Sequence, residues 1–321
     1  TGGGGAVVVE GDLVNHGEIT NENYSFTLWV TGDVQNNGQI TNPQLLLQGV
    51  NVTHEIAMGP GAFIEADVFL PEFQPATIVA TTPCEFRGGL GLGEYGTLIL
   101  EDGASLALGG FGGLGSGTVI AGGNTISSAD NAAISSVTID QGVFGDQVMV
   151  HGINQLTGGL TVEGTVVGWP WAEATLVVDG LLRNDGVIMD GDHPVRVHAL
   201  GDVANDGTFA NAELRLMGTV DQHVGTGAQG IGADAVVLVS ELAGASYQWL
   251  RDGEIIPGAT GIQYTLSGGV GAADHGTYAC EVDGQLSRAI VIQETLDVTD
   301  APAAATLAAL AQNRPNPFNP A

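Results

Sequence analysis

Residues 11–19 read GDLVNHGEI and residues 32–40 read GDVQNNGQI, a near-copy of the first stretch. The pattern returns as GLLRNDGVI at 180–188 and GDVANDGTF at 201–209. Gly11 to Gly32 and Gly180 to Gly201 are equal steps, and Gly11 to Gly180 is close to eight of them. A strand-like run precedes each copy: AVVVE, TLWVT, TLVVD and RVHAL. QLLLQGVNVTHEI after the second copy and ELRLMGTVDQHVG after the fourth are also alike. An imperfect β-rich repeat of about 21 residues is the signature of a parallel β-helix, whereas a β-sandwich has no reason to keep a fixed step.

Stacked coils give each position of the repeat a physical task. In the first coil Val7, Val9, Leu13 and Ile19 are expected to point inward and join one apolar column. Asn15, Asn36, Asn184 and Asn205 then occupy the same turn of successive coils, where one amide can hydrogen-bond to the next. Gly17, Gly38, Gly186 and Gly207 follow two residues later, at a place where a left-handed backbone is expected. Between Gly59 and Gly159 the repeat blurs, although GTLILEDGASLALGG and GGLTVEGTVVG still read as coil strands. The chain is therefore all-β, with a right-handed parallel β-helix expected over residues 1–232.

Composition narrows the function. The chain carries 36 acidic and 7 basic residues, every basic one Arg, for a net charge of −29. Such a surface cannot neutralise a run of phosphates or approach anionic lipid, which excludes nucleic acid and membrane surfaces as partners. Like charge keeps Gly-rich β proteins apart in solution, and this is preferred over a Ca²⁺-binding role, which stays open without a recognised aspartate-rich loop. The absence of Lys excludes Lys–Asn isopeptide cross-links. No apolar run reaches the roughly 18 residues a membrane-spanning helix needs. No signal peptide precedes Thr1, so the chain reads as a processed or truncated product. Cys84 and Cys280 are too few for a disulfide scaffold.

The Asn/Gly-rich repeat resembles the β-helical passenger regions of bacterial surface and secreted proteins, which implies an extracellular location. A second resemblance begins near Asp234. YQWLRDGEIIPGATGIQYTL followed by DHGTYACEV resembles an immunoglobulin-like domain, with Trp249 as its core tryptophan and Tyr278 as its tyrosine corner. The partner cysteine expected near Val239 or Ser240 is absent, so Cys280 reads as a buried free thiol and Cys84 as a small buried hydrophobe. A Cys84–Cys280 bridge would have to cross domains. An Ig-like β-sandwich is expected over 233–298, as a spacer that caps the last coil. Residues 299–321 form a small-residue linker that ends in NRPNPFNPA. Pro315, Asn316, Pro317, Phe318, Asn319 and Pro320 resemble the opening of the C-terminal sorting domain of type IX secretion substrates. That resemblance implies export by the type IX machinery.

Chemistry is harder to find. β-helical polysaccharide lyases and hydrolases collect carboxylates and Arg or Lys on one face. The best candidate for such a group is DGDHPVRVH, with Asp190, Asp192, His193, Arg196 and His198. Alternation in PVRVHAL puts Arg196 and His198 together, opposite Val195, Val197 and Ala199. In the register of the repeat Asp190 meets Asn211 and Asp192 meets Glu213, and Asp-Gly marks turns; the turn reading is preferred. His16, His54, His151 and His223 show no metal-ligand spacing. No Gly-x-Ser-x-Gly elbow or P-loop lysine occurs. Asn23 and Asn51 sit in glycosylation sequons of little weight in a bacterial protein.

The expectation is a non-enzymatic extracellular structural or adhesive protein with no required cofactor. It self-associates through end-to-end coil contacts, because a solenoid end must be capped or paired and AVVVE begins almost at Thr1. The alternative is a polysaccharide-binding or lyase-like protein acting at Asp190 to His198.

Overall fold

In the computed structural model, residues 5–20, 26–41, 43–49, 51–110, 113–129 and 132–296 are described. Pro315–Pro320 and the sequon Asn23 lie outside them. The chain forms an all-β parallel solenoid of about 11 turns. The strand Gly5–Val9 pairs in parallel with Phe26–Val30, which pairs with Gln44–Leu47. On the next face Leu13–Asn15 pairs with Val34–Asn36, which pairs with Val52–Met58. Alternate residues of each strand point inward, and Val30, Ile40, Leu45, Leu47 and Ile56 are fully buried. Burial of each such side chain contributes about 1.5–3 kcal/mol, and the column repeats it coil after coil.

Asparagine ladders stand where the repeat puts them. Asn15 Nδ2 donates to Asn36 Oδ1 at 2.8 Å, and Asn184 Nδ2 donates to Asn205 Oδ1 at 2.7 Å. All four residues are buried, so every amide bond made inside the turn matters. The ladder stops in the middle coils because Met58 stacks on Asn36, and Val162 precedes Asn184 in register. The aspartates of the GD pairs have a related task. Asp12 Oδ1 accepts the backbone N–H of Asp33, Asp33 Oδ1 accepts that of Glu55, and Asp202 Oδ1 accepts that of His223. These carboxylates staple one coil to the next.

Two expectations need correction here. Gly17, Gly38, Gly186 and Gly207 do not adopt positive φ. The last three are glycine because a Cβ on them would collide with the backbone of the coil beneath, Gly38 against Gly17 O and Gly207 against Gly186 O. The left-handed positions are instead Gly11 and Gly180, with φ near 118° and 120°. Of the expected inward set, Leu13 is buried, Val9 and Ile19 are partly buried, and Val7 is 50% exposed. Val7 lies opposite buried Leu28, but among the described residues no strand pairs on the outer side of Gly5–Val9.

The ladder does not end at residue 232. Ala235–Val239 pairs in parallel with Glu213–Leu216 of the last coil and antiparallel with Gln263–Ser267. Tyr247–Arg251 pairs antiparallel with Gly276–Val282, which also pairs with Ile290–Gln293. Ile290–Gln293 returns to pair in parallel with Gln222–Gly225. Arg288 sits at this junction with its side chain 3% exposed. It donates to Val239 O, Glu241 Oε2, Leu216 O and Gln222 Oε1, each at 2.8–2.9 Å. Trp249 lies opposite Cys280 in the antiparallel ladder, and both are fully buried. Cys84 and Cys280 are free thiols.

Candidate functional site

The turn Asp190–Pro194 and the strand Val195–Ala199 hold the five candidate residues. Asp190 is half-buried, and its Oδ1 accepts the Val195 N–H at 2.6 Å, closing the turn. Burial pushes the Asp190 carboxyl above its ordinary range, with the Val195 bond opposing and the charges of Asp234 and Glu213 adding to the rise. Asp192 is exposed. Arg196 and His198 share the outward face of the strand, as alternation requires, between buried Val195, Val197 and Ala199.

The expected register is off for one pair. Glu213 lies opposite Arg196, not Asp192, because this coil is shorter than the repeat by several residues. Arg196 Nη1 donates to Glu173 Oε2 of the preceding coil at 2.5 Å, and this bond holds the Glu173 carboxyl below its ordinary range. His198 lies opposite Arg215. Burial lowers its pKa first and the Arg215 charge lowers it further. The turn carboxylate and the strand guanidinium are thus each engaged by a partner.

What the repeat did not reveal stands one coil earlier. Gly168 packs against the Asp190–Pro194 turn, where a Cβ would press on His193 O and Val195 Cγ2. The absence of that Cβ lets the segment Trp169–Glu173 stack directly over the turn. Trp171 is 70% exposed, an unusual state for so large an apolar side chain. It meets Trp169 edge-on, with ring centroids 5.3 Å apart and planes at 72°. Trp169 meets His151 of the coil before, at 5.8 Å and 41°. His151 Nδ1 is 3.1 Å from Ser135 Oγ, its in-register neighbour. Ser135, His151 and Trp169 therefore line one corner of three successive coils, with Glu173 and Arg196 beside them. The signal available was GWPWAE, two of the four tryptophans of the chain flanking a proline in a turn.

A second concavity, of about 920 Å³, is lined by Glu65, Asp67, Glu85, Arg87 and Asp146 among others. It holds one guanidinium among four carboxylates. Arg87 pairs with Glu85 at 2.6 Å and stacks over Phe63, and Asp67 accepts the Gly89 N–H. Both thiols are poor nucleophiles, since burial pushes Cys84 up to about 12 and also raises Cys280. Buried His54 bonds through Nδ1 to Gly32 O at 2.7 Å. Among the described residues no group of three or more His, Cys, Asp or Glu side chains is arranged to hold a metal ion, and no helix is long and apolar enough to cross a membrane.

Comparison with protein-family models, with curated proteins and with solved structures finds no match to this chain.

Proposed function

We infer that this is a non-enzymatic extracellular structural or adhesive protein, displayed on a bacterial surface and exported through the type IX route. The observation that carries the reading is the continuous hydrogen-bonded ladder that runs out of the solenoid into the antiparallel module at 213–216/235–239 and 222–225/290–293. With about 11 coils at the strand spacing, the solenoid spans roughly 50 Å. A module joined through shared strands and a buried arginine extends it without a flexible hinge, which suits a spacer better than a catalyst.

The antiparallel module is read as Ig-like. Two observations support this: Trp249 lies opposite Cys280 in the ladder, and the Tyr278 hydroxyl donates to Asp274 O at 2.8 Å. Export rests on the Pro315–Pro320 resemblance alone. Self-association is proposed through the outer edge of Gly5–Val9, unpaired among the described residues, since such an edge is covered either by further chain or by another molecule.

Deletion of the gene in the producing bacterium tests the reading. Loss of attachment or of surface-layer integrity, with polysaccharide degradation intact, is expected. A mutant whose sole defect is in degrading a polymer would contradict it.

A further inference from the structure

We propose that the corner formed by Trp169, Trp171 and the Glu173–Arg196 pair is a carbohydrate-binding platform for an uncharged polysaccharide chain. The proposal deepens the adhesive reading and rests on it, by giving the solenoid a ligand class.

The Trp171 indole is 70% exposed beside a second tryptophan, and a paired aromatic patch of this kind marks an interaction site more often than a scattered leucine does. Trp171 is also pre-positioned. Its ring rests edge-on against Trp169, which rests on His151, which is held by Ser135 Oγ. A flat apolar plate fixed before the ligand arrives loses little conformational freedom on binding.

A polar rim, the Glu173–Arg196 pair, accompanies the indole. A pyranose ring has one face of C–H groups and an edge of hydroxyls, each both donor and acceptor. The plate offers the first a surface to stack on, and Glu173 and Arg196 offer the second an acceptor and a donor two residues and one coil away. His193 stands close enough to Glu173 for its charge to act on that carboxyl, and adds a further ring nitrogen.

Charge selects among glycans and against other partners. Glu173 stands two residues from Trp171, and the whole chain carries −29. A uronate, a sulfated glycan, nucleic acid or anionic lipid would meet like charge, while a neutral sugar meets none. Length is favoured too. Ser135, His151 and Trp169 follow one another along the solenoid axis, Ser135 in register with His151 and the His151 and Trp169 rings 5.8 Å apart, a track rather than a pocket for one sugar unit.

Affinity electrophoresis of the full chain in gels carrying a soluble β-glucan, a mannan, a xylan or polygalacturonate tests the proposal, with tryptophan fluorescence as a second readout. At least one neutral polysaccharide is expected to retard the protein and shift its emission. Trp171→Ala should bind about tenfold more weakly, and Trp171→Phe should recover part of the loss. Tyr95→Ala, exposed several coils away, should bind as the parent does. Unchanged thermal midpoints would show that the variants are folded. Retardation by polygalacturonate alone, no retardation by any neutral polymer, or full binding by Trp171→Ala would each overturn the platform. New reducing ends or unsaturated sugars in the same gels would instead overturn the non-catalytic reading and leave the platform standing.

Discussion

Arg288 Nη2 donates to Gln222 Oε1 at 2.8 Å, and through this bond the antiparallel module closes the last coil of the solenoid. Gln222 is itself buried, and its Nε2 donates to Ala199 O and Gly201 O of the preceding coil. One arginine therefore ties strands from two coils to the module, with Glu241 as its counter-charge. Removing the guanidinium takes the counter-charge from Glu241, whose Oε1 keeps only the Arg288 backbone N–H, and takes a donor from Val239 O and Leu216 O. Arg288→Leu is expected to lower stability by about 3 kcal/mol, read by denaturant unfolding. A loss below about 0.5 kcal/mol, the range of an ordinary surface change, would show that the junction does not depend on it.

Glycine at the repeat position after the Asn turn is argued from close approach and not from backbone handedness. Gly207 and Gly17 occupy equivalent places, but a Cβ on Gly207 meets Gly186 O, whereas one on Gly17 meets nothing within 4 Å. Gly207→Ala should cost about 2 kcal/mol and Gly17→Ala less than about 0.5 kcal/mol. Equal losses at the two positions would contradict the argument.

Much of this is legible in the sequence, and the part that is not has a physical reason. Asn15, Asn36, Asn184 and Asn205 are readable because a buried amide turn tolerates few substitutes. The middle coils are not, because Met58 and Val162 fill the Asn column with apolar atoms and leave no letter to recognise. Coil length also varies. The short coil that sets Arg196 beside Glu213 and the long one that sets Val52 beside Ala76 both depart from the repeat. A fixed step therefore misplaces partners such as Asp192 and Glu213. Trp169 and Trp171 escape because a repeat pattern records what coils share, and this turn is where one coil departs. The faces of the candidate strand Val195–Ala199 are read correctly, since period-2 alternation depends on no register.

The asparagine ladder supplies its own test. Asn205 accepts from Asn184 and donates to Gly207 O, Thr226 O and Gly230 O. Asn205→Ala should destabilise by about 2 kcal/mol by leaving buried groups unpaired. A neutral result would mean that water replaces the amide there.

Acid should weaken the corner of the solenoid. Burial holds the His151 and His198 imidazoles below the ordinary 6.5, so as pH falls through that value the unfolded chain takes up protons before the folded one. Their unfavourable contribution is absent well above pH 6.5 and grows below it. The thermal midpoint of His198→Gln should therefore gain on that of the parent between about pH 7 and 5, and parallel curves would contradict the sign.

End-to-end association is expected to require the outer edge of Gly5–Val9, unpaired among the described residues. Val7→Lys places a charge on the inward row and should lower the mass seen by light scattering at high concentration. A parent chain that is a monodisperse monomer under the same conditions, with or without Ca²⁺, would remove self-association from the account.

The central claim is that the chain works on the outside of a bacterium. Labelling of intact producing cells with an antibody against the solenoid tests it most directly. The account expects label on unpermeabilised cells, lost after brief protease treatment. Label that appears only after permeabilisation would contradict it.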